Sequence, residues 1–495
     1  SAEPYISQFD YENNFGVKRC SDEFFNKVIK NADKIGVPVG AGPYAASKNN
    51  GGIEDISANE FYDKNTIYYE RNPYYVMGVP IIKKINYKII SNNEMLDNLY
   101  RGDVDFISLD SMSEIVDEIQ LKSKDGYGYR MIVSSSYGYI GINAGKVPDI
   151  KVRQAIMHAI NTQDCIGFYE GTVKSIYRSM SINSWAYPEH ATPYYPYIGG
   201  KVPADLSVVN PDYAEYVTSL GKKSGDTLTK YEQEKFLRYL VESSGYIINN
   251  DGIYSKGSHK LSYIFTIIGN ETYHPGYMAF YHAREILNEI NFNISIQVDP
   301  LGLNKLAKGD LTVWAGARET GIDPDMYDIY HKNSNFYITK CWGYNEIKCN
   351  YNNQYSYENE LLEMLSELID YGRKTTVQSK RRIIYSKALD IVMQLAIELP
   401  TYQGADLYAY NSTKIDSNTF TPLNELSPYN GLLDNIHKLS LVTRKNNYWQ
   451  VSYLVKEKLF YLNMLIFYLK IGIFFAITYL FNMLLYFLKR YYQII

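Results

Sequence analysis

Residues 310–331, DLTVWAGARETGIDPDMYDIYH, combine an aromatic residue, a base and several acids within a short stretch. The stretch opens as a strand that reaches Trp314. It then carries Arg318, Glu319, Asp323 and Asp325 in what we predict to be a loop ended by proline and tyrosine. A rigid strand that delivers an aromatic ring and acids into a loop is a common way to build a binding site. A solvated acidic turn, with Trp314 packed in the core, is the alternative interpretation.

Patterns typical of catalytic and metal sites are missing elsewhere in the chain. The sequence contains no His-Glu-x-x-His, no Gly-x-Ser-x-Gly and no Cys-x-x-Cys, and its seven histidines are scattered. Four cysteines are too few and too dispersed for a zinc site or a disulfide framework. The pair in CWGYNEIKC, Cys341 and Cys349, could join one loop outside the cell. We therefore expect no enzyme activity, no bound metal and no cofactor.

The glycine-rich string VPVGAGPY, residues 37–44, raises the question of a phosphate-binding loop. A dinucleotide fingerprint needs a third glycine that opens a helix, and a Walker loop ends in Gly-Lys-Ser/Thr. Here Pro43 follows Gly42, which removes an N–H donor and disfavours helical geometry. We interpret the string as a structural turn whose glycines adopt φ values that other residues resist.

The bulk composition is that of a globular protein with two or three domains. The chain has 495 residues, 46% of them apolar and 21% charged, and a net charge of −4. No basic run occurs in the first 440 residues, which argues against a nucleic-acid partner. Tyrosine is unusually common, with 51 residues. Compositional drift and an aromatic-lined ligand groove are compatible explanations.

Periodicity predicts an α/β fold. KLSYIFTIIG reads as a buried strand, MAFYHAREILNEI as an amphipathic helix and NISIQVDP as a second strand. Strand, helix and strand in this order predict a parallel, right-handed βαβ unit. A helix is predicted over PDIKVRQAIMHAIN, with Asp149 as its N-cap, and a longer one over 375–400 that Pro400 stops.

Seven segments in order resemble those of the extracellular solute-binding proteins of the dipeptide/oligopeptide family (family 5), the receptors of ABC importers. They are VGAGPY, YYERNPYYVMGVPIIKKINYKII, RGDVDFI, GYIGINAGKVPDIKVRQAIMHAIN, GYIINNDGIYSKG, DPDMYDIYH and RIIYSKALDIVMQLAIELPTY. The resemblance implies a bilobal, periplasmic-binding-protein-like α/β fold of type II, in the large peptide-binding subclass. It also implies lobe I in residues 1–140, lobe II in 141–400 and a return to lobe I in 401–443.

The function implied by this resemblance is the binding of a ligand without any chemical reaction. Such a receptor would close on an oligopeptide held through its backbone and deliver it to an ABC transporter permease. It would work at the extracellular face of the cell membrane or in the periplasm. An oligosaccharide, a metal chelate or another small solute in the same fold is the first alternative. A secreted hydrolase, whose pair of catalytic carboxylates cannot be identified from the sequence, is a more distant alternative.

The resemblance also suggests ligand-binding roles for Trp314, Arg318, Glu319 and Asp323. The family holds the ligand's α-ammonium with an acid just after the strand that bears the tryptophan. The spacing from Trp314 to Asp323 is longer than the usual pattern, so Glu319 and Asp323 compete for this role. Arg318 could meet a ligand carboxylate bidentately.

Both ends of the chain depart from the family pattern. Only about 36 residues precede the Gly-x-Gly-Pro-Tyr turn, so we expect an N-terminal truncation. A hydrophobic tail, 456–490, follows the last recognisable segment. Within it, 471–488 is uncharged and has the length of a transmembrane helix, which favours a membrane anchor; a gene-level accident such as readthrough is the alternative.

Overall fold

Strands and helices are interspersed along the described chain, as in α/β folds. The computed structural model describes residues 36–442, with gaps at 271, 322, 423–424 and 428–429. The strands are β1 (Tyr44–Ala46), β2 (Tyr62–Asp63), β3 (Thr66–Arg71), β4 (Lys84–Lys88), β5 (Phe106–Asp110), β6 (Tyr127–Ile142), β7 (Lys174–Ser175), β8 (Ile247–Ile248), β9 (Tyr254–Lys256), β10 (His259–Lys260), β11 (Ser262–Ile268), β12 (Asn293–Asp299), β13 (Val313–Glu319) and β14 (Glu398–Asn411). The α-helices are α1 (Ala58–Phe61), α2 (Met95–Arg101), α3 (Ser113–Leu121), α4 (Ile150–Ala159), α5 (Thr162–Gly167), α6 (Pro211–Ser219), α7 (Lys230–Ser243), α8 (Tyr277–Glu289), α9 (Gly302–Lys308), α10 (Tyr327–Tyr330), α11 (Ile338–Cys341), α12 (Tyr344–Cys349), α13 (Ser356–Lys374) and α14 (Gln378–Gln394).

One mixed sheet organises most of these elements. Its strand order is β12-β11-β13-β6-β14-β5, and β7 also pairs with β14. The long strands β6 and β14 pair antiparallel through the middle of the sheet. A small sheet, β1-β3-β2 with β4 beside β3, and a three-stranded sheet, β10-β9-β8, complete the strands of the described chain.

The two long strands connect separate hydrophobic cores. We call lobe I the part around β5, α2 and α3, where Leu99, Ile107 and Leu407 are buried together. We call lobe II the part around β11, β13 and the helices packed on them, where two large clusters contain Ile140 and Trp314 respectively. The predicted lobe boundaries at 140/141 and 400/401 fall inside β6 and β14. The partition itself stays a prediction.

The pairing of β6 with β14 is irregular between the two cores. The register shifts between Pro400 and Tyr402, and again between Gln403 and Ala405. The Gln403 side chain is buried there. Its Nε2 donates to the carbonyl oxygens of Ser134, at 2.8 Å, and Ser136, at 2.6 Å. One side-chain amide therefore satisfies backbone groups that the broken ladder would leave unpaired.

The predicted parallel strand–helix–strand arrangement is confirmed. Strands β11 and β12 are parallel, with Ser262 opposite Asn293, and α8 connects them. Helix α4 begins directly after Asp149, as predicted. The Asp149 side chain makes no cap hydrogen bond, however; it accepts from the Tyr246 hydroxyl at 2.8 Å and from Lys256 at 3.1 Å.

Two local predictions were wrong. Helix α14 ends at Gln394, and the chain has already entered β14 when it reaches Pro400. The turn is made by Ala396, at a φ of +52°. In the GAGPY string neither Gly40 nor Gly42 has a positive φ, and a Cβ on either would meet no atom closer than 4.0 Å. The string is a bend leading into β1, but its geometry does not require glycine.

The predicted tail helix 471–488 and residues 1–35 lie outside the described residues. Within the part of the chain that the structure describes, no helix is both long and apolar enough to cross a membrane.

A buried ion pair ties the start of α4 to the two long helices α13 and α14. Arg153 and Glu358 are 2.9 Å apart and almost completely excluded from solvent. The Arg153 guanidinium also donates to the carbonyl oxygens of Val147 and Leu395. All of these acceptors are far apart in sequence, so one cation fixes the position of three segments.

We expect Glu358→Leu to lower the free energy of unfolding by about 3–5 kcal/mol, because it leaves the Arg153 charge buried without a counterion. Urea denaturation measures this loss. The matched control is Asp105→Asn, which breaks a half-exposed pair with Lys414 and should cost less than about 1 kcal/mol. Equal losses in the two variants would contradict the role assigned to Arg153.

Candidate functional site

Three of the four predicted site residues line one cavity in lobe II. The cavity has a volume of about 100 Å³, and Arg318, Glu319 and Asp323 are among its lining residues. Its wall also includes Tyr137 and Tyr330. Strand β13 continues through Glu319, so the prediction that Arg318 and Glu319 lie in a loop was wrong. The strand continues because β6 pairs with it along its whole length.

The structure places Trp314 in the core. Its side chain has no exposed surface, and its ring stacks on Trp342 with centroids 5.6 Å apart. It lies so close over Gly141 that a Cβ there would come within 2.2 Å of the indole. Of the two interpretations of this residue, core packing is the one that the geometry supports.

The Arg318 guanidinium lies in an aromatic box. Its central carbon is 4.3 Å from the centroid of the Tyr139 ring. The rings of Tyr137, Tyr330 and Trp342 lie 5.4–5.6 Å away. Such faces attract a cation and are strongest when water is excluded. We call these four aromatic residues with Arg318 the arginine box.

Glu398 closes the arginine box by pairing with Arg318. This carboxylate is completely buried and accepts from the hydroxyls of Tyr137, at 2.9 Å, and Tyr330, at 2.8 Å. Burial raises the pKa of both phenols, which therefore keep the protons that they donate. Burial opposes the charge of Arg318, but the combined effect of Glu398 and the surrounding tyrosines outweighs it and raises the Arg318 pKa. The guanidinium charge is thus already neutralised.

Glu319 lies where the two lobes meet. It is exposed and accepts a hydrogen bond from the Ser135 hydroxyl at 3.0 Å. Two lobe I acids lie near Glu319. Asp406 is on β14, and Asp110 lies directly opposite Asp406 on the paired strand β5. Burial, with the Glu319 and Asp110 carboxylates, raises the pKa of Asp406. Across the described residues, none of these three acids forms an ion pair with a base. We call them the acidic junction.

Asp323, the competing acid, is already paired. Its carboxylate accepts from Arg381 at 2.6 Å, and the neighbouring Asp325 lies 3.1 Å from Arg373. A ligand cation at Asp323 would have to share the carboxylate with a guanidinium. The electrostatics therefore favour Glu319 over Asp323 as the residue that meets a positive charge.

The backbone beside the acidic junction has a free edge. Strand β11 pairs with β13 only from Val313 to Ala315. Strand β6 covers the opposite edge of β13 as far as Glu319. Residues 316–319 of β13 therefore have one edge that no other described strand covers. An unpaired strand edge offers N–H and C=O groups to an extended ligand.

Among the described residues, no group of three or more histidines, cysteines or acids is placed to hold a metal ion. Cys341 and Cys349 are both free, the first buried and the second exposed.

Sequence reasoning found the three lining residues that lie together on one segment, but missed the residues around them. Glu398, Tyr137 and the lobe I acids come from strands far away in sequence. The alternating tyrosines at 137 and 139 were the one available signal for an aromatic face.

We expect Glu398→Gln to lower the free energy of unfolding by about 3 kcal/mol or more, because the Arg318 charge then stays buried without a counterion. Adding Arg318→Met to this variant should recover part of the loss. Urea unfolding of both single variants and the double variant tests this. Losses that simply add would show that the two side chains act independently.

Comparisons with known proteins agree with this architecture. The family model for bacterial extracellular solute-binding proteins, family 5 (middle), matches residues 8–338, which is more than half of the chain. No curated protein matches the sequence.

Several solved structures share the fold at low sequence identity. The oligopeptide-binding protein AppA from Bacillus subtilis, in complex with a nonapeptide, is 18% identical over 86% of this chain and 72% of its own, with a TM-score of 0.57. NikZ from Campylobacter jejuni, in complex with Ni(L-His), is 14% identical over 87% of this chain and 72% of its own, with a TM-score of 0.57. CtaP from Listeria monocytogenes, an ABC transporter substrate-binding protein, is 17% identical over 86% of this chain and 71% of its own, with a TM-score of 0.58. Together with the family match, these similarities confirm the periplasmic-binding-protein-like α/β fold, and the chain belongs to the bacterial extracellular solute-binding proteins of family 5.

Proposed function

We propose that this protein is the substrate-binding receptor of an ABC importer, and that it captures oligopeptides between lobes I and II for delivery to a membrane permease. The observation that carries the proposal is the acidic junction beside the free edge of β13. A peptide has a group that matches each feature: its α-ammonium group complements the acidic junction, and its extended backbone complements the free strand edge. The receptor would act at the extracellular face of the membrane or in the periplasm, and it would release its ligand unchanged.

Glu319 is the residue that we propose for the ligand's ammonium group. It has no basic partner in the described chain, and the carboxylates of Asp406 and Asp110 add to the negative potential around it. Asp323 is the second choice because Arg381 already occupies it. Ammonium–carboxylate hydrogen bonds are among the stronger ones, worth about 1.5–3 kcal/mol each.

The free edge at 316–319 supports capture through the ligand backbone. Main-chain hydrogen bonds are independent of ligand side chains, so they give affinity for many sequences. The Arg318 side chain is fixed in the arginine box, and its main chain is part of the strand. Arg318 therefore holds this edge in position. We assign it to positioning the site, and Trp314 to the same supporting role.

A different small solute in the same fold is the second candidate. Solved relatives include NikZ with Ni(L-His) and an EDTA-binding protein, EppA, at TM-scores of 0.57 and 0.55. The acidic junction argues against an anionic chelate here, since like charges would repel it. A cationic or neutral solute, such as an oligosaccharide, remains compatible with the site.

We expect Glu319→Gln to weaken binding of an unmodified tetra-alanine peptide by roughly 1.5–3 kcal/mol, because a charge-assisted hydrogen bond is lost. Isothermal titration calorimetry measures the change. N-acetylating the peptide should cost the wild type more than the variant. The control is Asp325→Asn, whose carboxylate is paired with Arg373 and should have little effect. If acetylation weakened both proteins equally, Glu319 would not be the ammonium site.

We also expect peptide binding to bring the lobes together. Strands β6 and β14 connect the two cores, and their register is irregular between Pro400 and Ala405, which suits a hinge. Small-angle scattering with and without peptide should show a smaller radius of gyration in the complex. Material from the Glu319→Gln variant at the same peptide concentration provides the control. An unchanged radius at saturation would argue against closure.

A further inference from the structure

A second, larger cavity lies in lobe II beside the candidate site. Its volume is about 780 Å³, and it shares Ser184 with the cavity that contains Glu319. Three aromatic residues line it, Tyr177, Trp185 and Tyr187. Neither Trp314 nor any of the three predicted acids and bases belongs to this lining. A cleft of this size, with several rings and a few polar groups, has the make-up of a ligand pocket.

The rings of this aromatic cavity are held in place by their neighbours. The Tyr187 hydroxyl accepts a hydrogen bond from the Tyr177 backbone N–H at 3.0 Å. The Arg381 guanidinium lies over the Trp185 ring, 5.6 Å from its centroid. Arg381 is itself fixed by Asp323 at 2.6 Å and the Tyr385 hydroxyl at 3.1 Å. A prearranged flat surface loses little entropy when a second ring stacks on it.

The charges in the aromatic cavity cancel. Arg382 and Glu189, the charged residues of the lining, are paired at 2.7 Å. The side chains of Gln378 and Ser379 and the Trp185 indole N–H have no hydrogen-bond partner among the described residues. A charged group would find no free counterion here, whereas a neutral ring that carries a hydroxyl could both stack and hydrogen-bond.

We infer that the aromatic cavity receives an aromatic side chain of the bound peptide, with tyrosine as the best fit. This inference rests on the proposed function, because it takes the ligand to be a peptide whose ammonium group lies at the acidic junction. The two cavities are adjacent: they share Ser184, and Arg381 contacts both Asp323 and Trp185. An extended peptide advances about 3.3 Å per residue, and the assignment places one of the residues that follow its N-terminus at the cavity. Trp185 is the specificity-determining residue.

The test is calorimetric titration of four tetrapeptides, Ala-Ala-Ala-Ala and the three variants with a single tyrosine at position 2, 3 or 4. In the wild type, tyrosine at one of these positions should raise affinity about tenfold over the all-alanine peptide. Trp185→Ala should abolish that gain, so that the variant binds the tyrosine peptide no more tightly than the all-alanine peptide. Trp185→Phe, which keeps a ring, should retain most of the gain. Tyr231→Ala, at a highly exposed tyrosine on α7, is the matched control and should behave as the wild type.

The outcomes separate this inference from the proposed function. If all four peptides bind the wild type equally, the aromatic cavity is not a side-chain pocket, and the peptide receptor proposal is unaffected. If none binds, the proposed function falls and the assignment of the cavity falls with it. A parallel titration with maltotriose tests the alternative that the aromatic cavity binds a sugar ring, which is also neutral and carries hydroxyl groups. Trp185-dependent binding of this sugar, without a tyrosine gain, would overturn the assignment to a peptide side chain.

Discussion

The arrangement of lobe II depends on one buried ion pair, Arg318 with Glu398. The cation comes from β13, the anion from β14, and the tyrosines that hydrogen-bond the anion come from β6 and α10. A buried pair is rarely more stabilising than well-packed apolar residues of the same volume. Its contribution here is to fix the register of β13 against the neighbouring strands. A slip of β13 by one residue would turn Arg318 to the opposite face of the sheet, away from its counterion.

The same alternation explains why the candidate ligand acid lies where it does. Successive side chains of a strand point to opposite faces, so fixing Arg318 in the arginine box directs Glu319 to the other face. That face meets Asp110 and Asp406 of lobe I. Arg318 is paired inside the arginine box, whereas its neighbour Glu319 lies beside the lobe I acids and has no basic partner among the described residues. The supporting interaction and the exposed site are therefore two consequences of a single strand register.

Sequence periodicity was enough for the class of fold and for the βαβ unit, because both depend on local spacing of apolar residues. It also placed Arg318, Glu319 and Asp323 near one another, since they share a segment. It could not choose between the two acids, because that choice depends on Arg381, which lies on a helix more than fifty residues further along the chain. Pro400 misled the prediction of a helix end: it lies in a strand beside a register shift, where its missing N–H is tolerated. Glu398 is invisible to any local pattern, because its partners come from three other elements.

The uncovered edge of β13 has a further consequence for contacts between copies of the protein. An exposed strand edge can pair with the same edge of another copy, which is a route to aggregation. In the described part of β13, no strand covers one edge of residues 316–319, a length too short to hold a stable intermolecular sheet, and Glu319 places a charge at its end. The shortness of this edge and the charge of Glu319 therefore oppose self-association through β13.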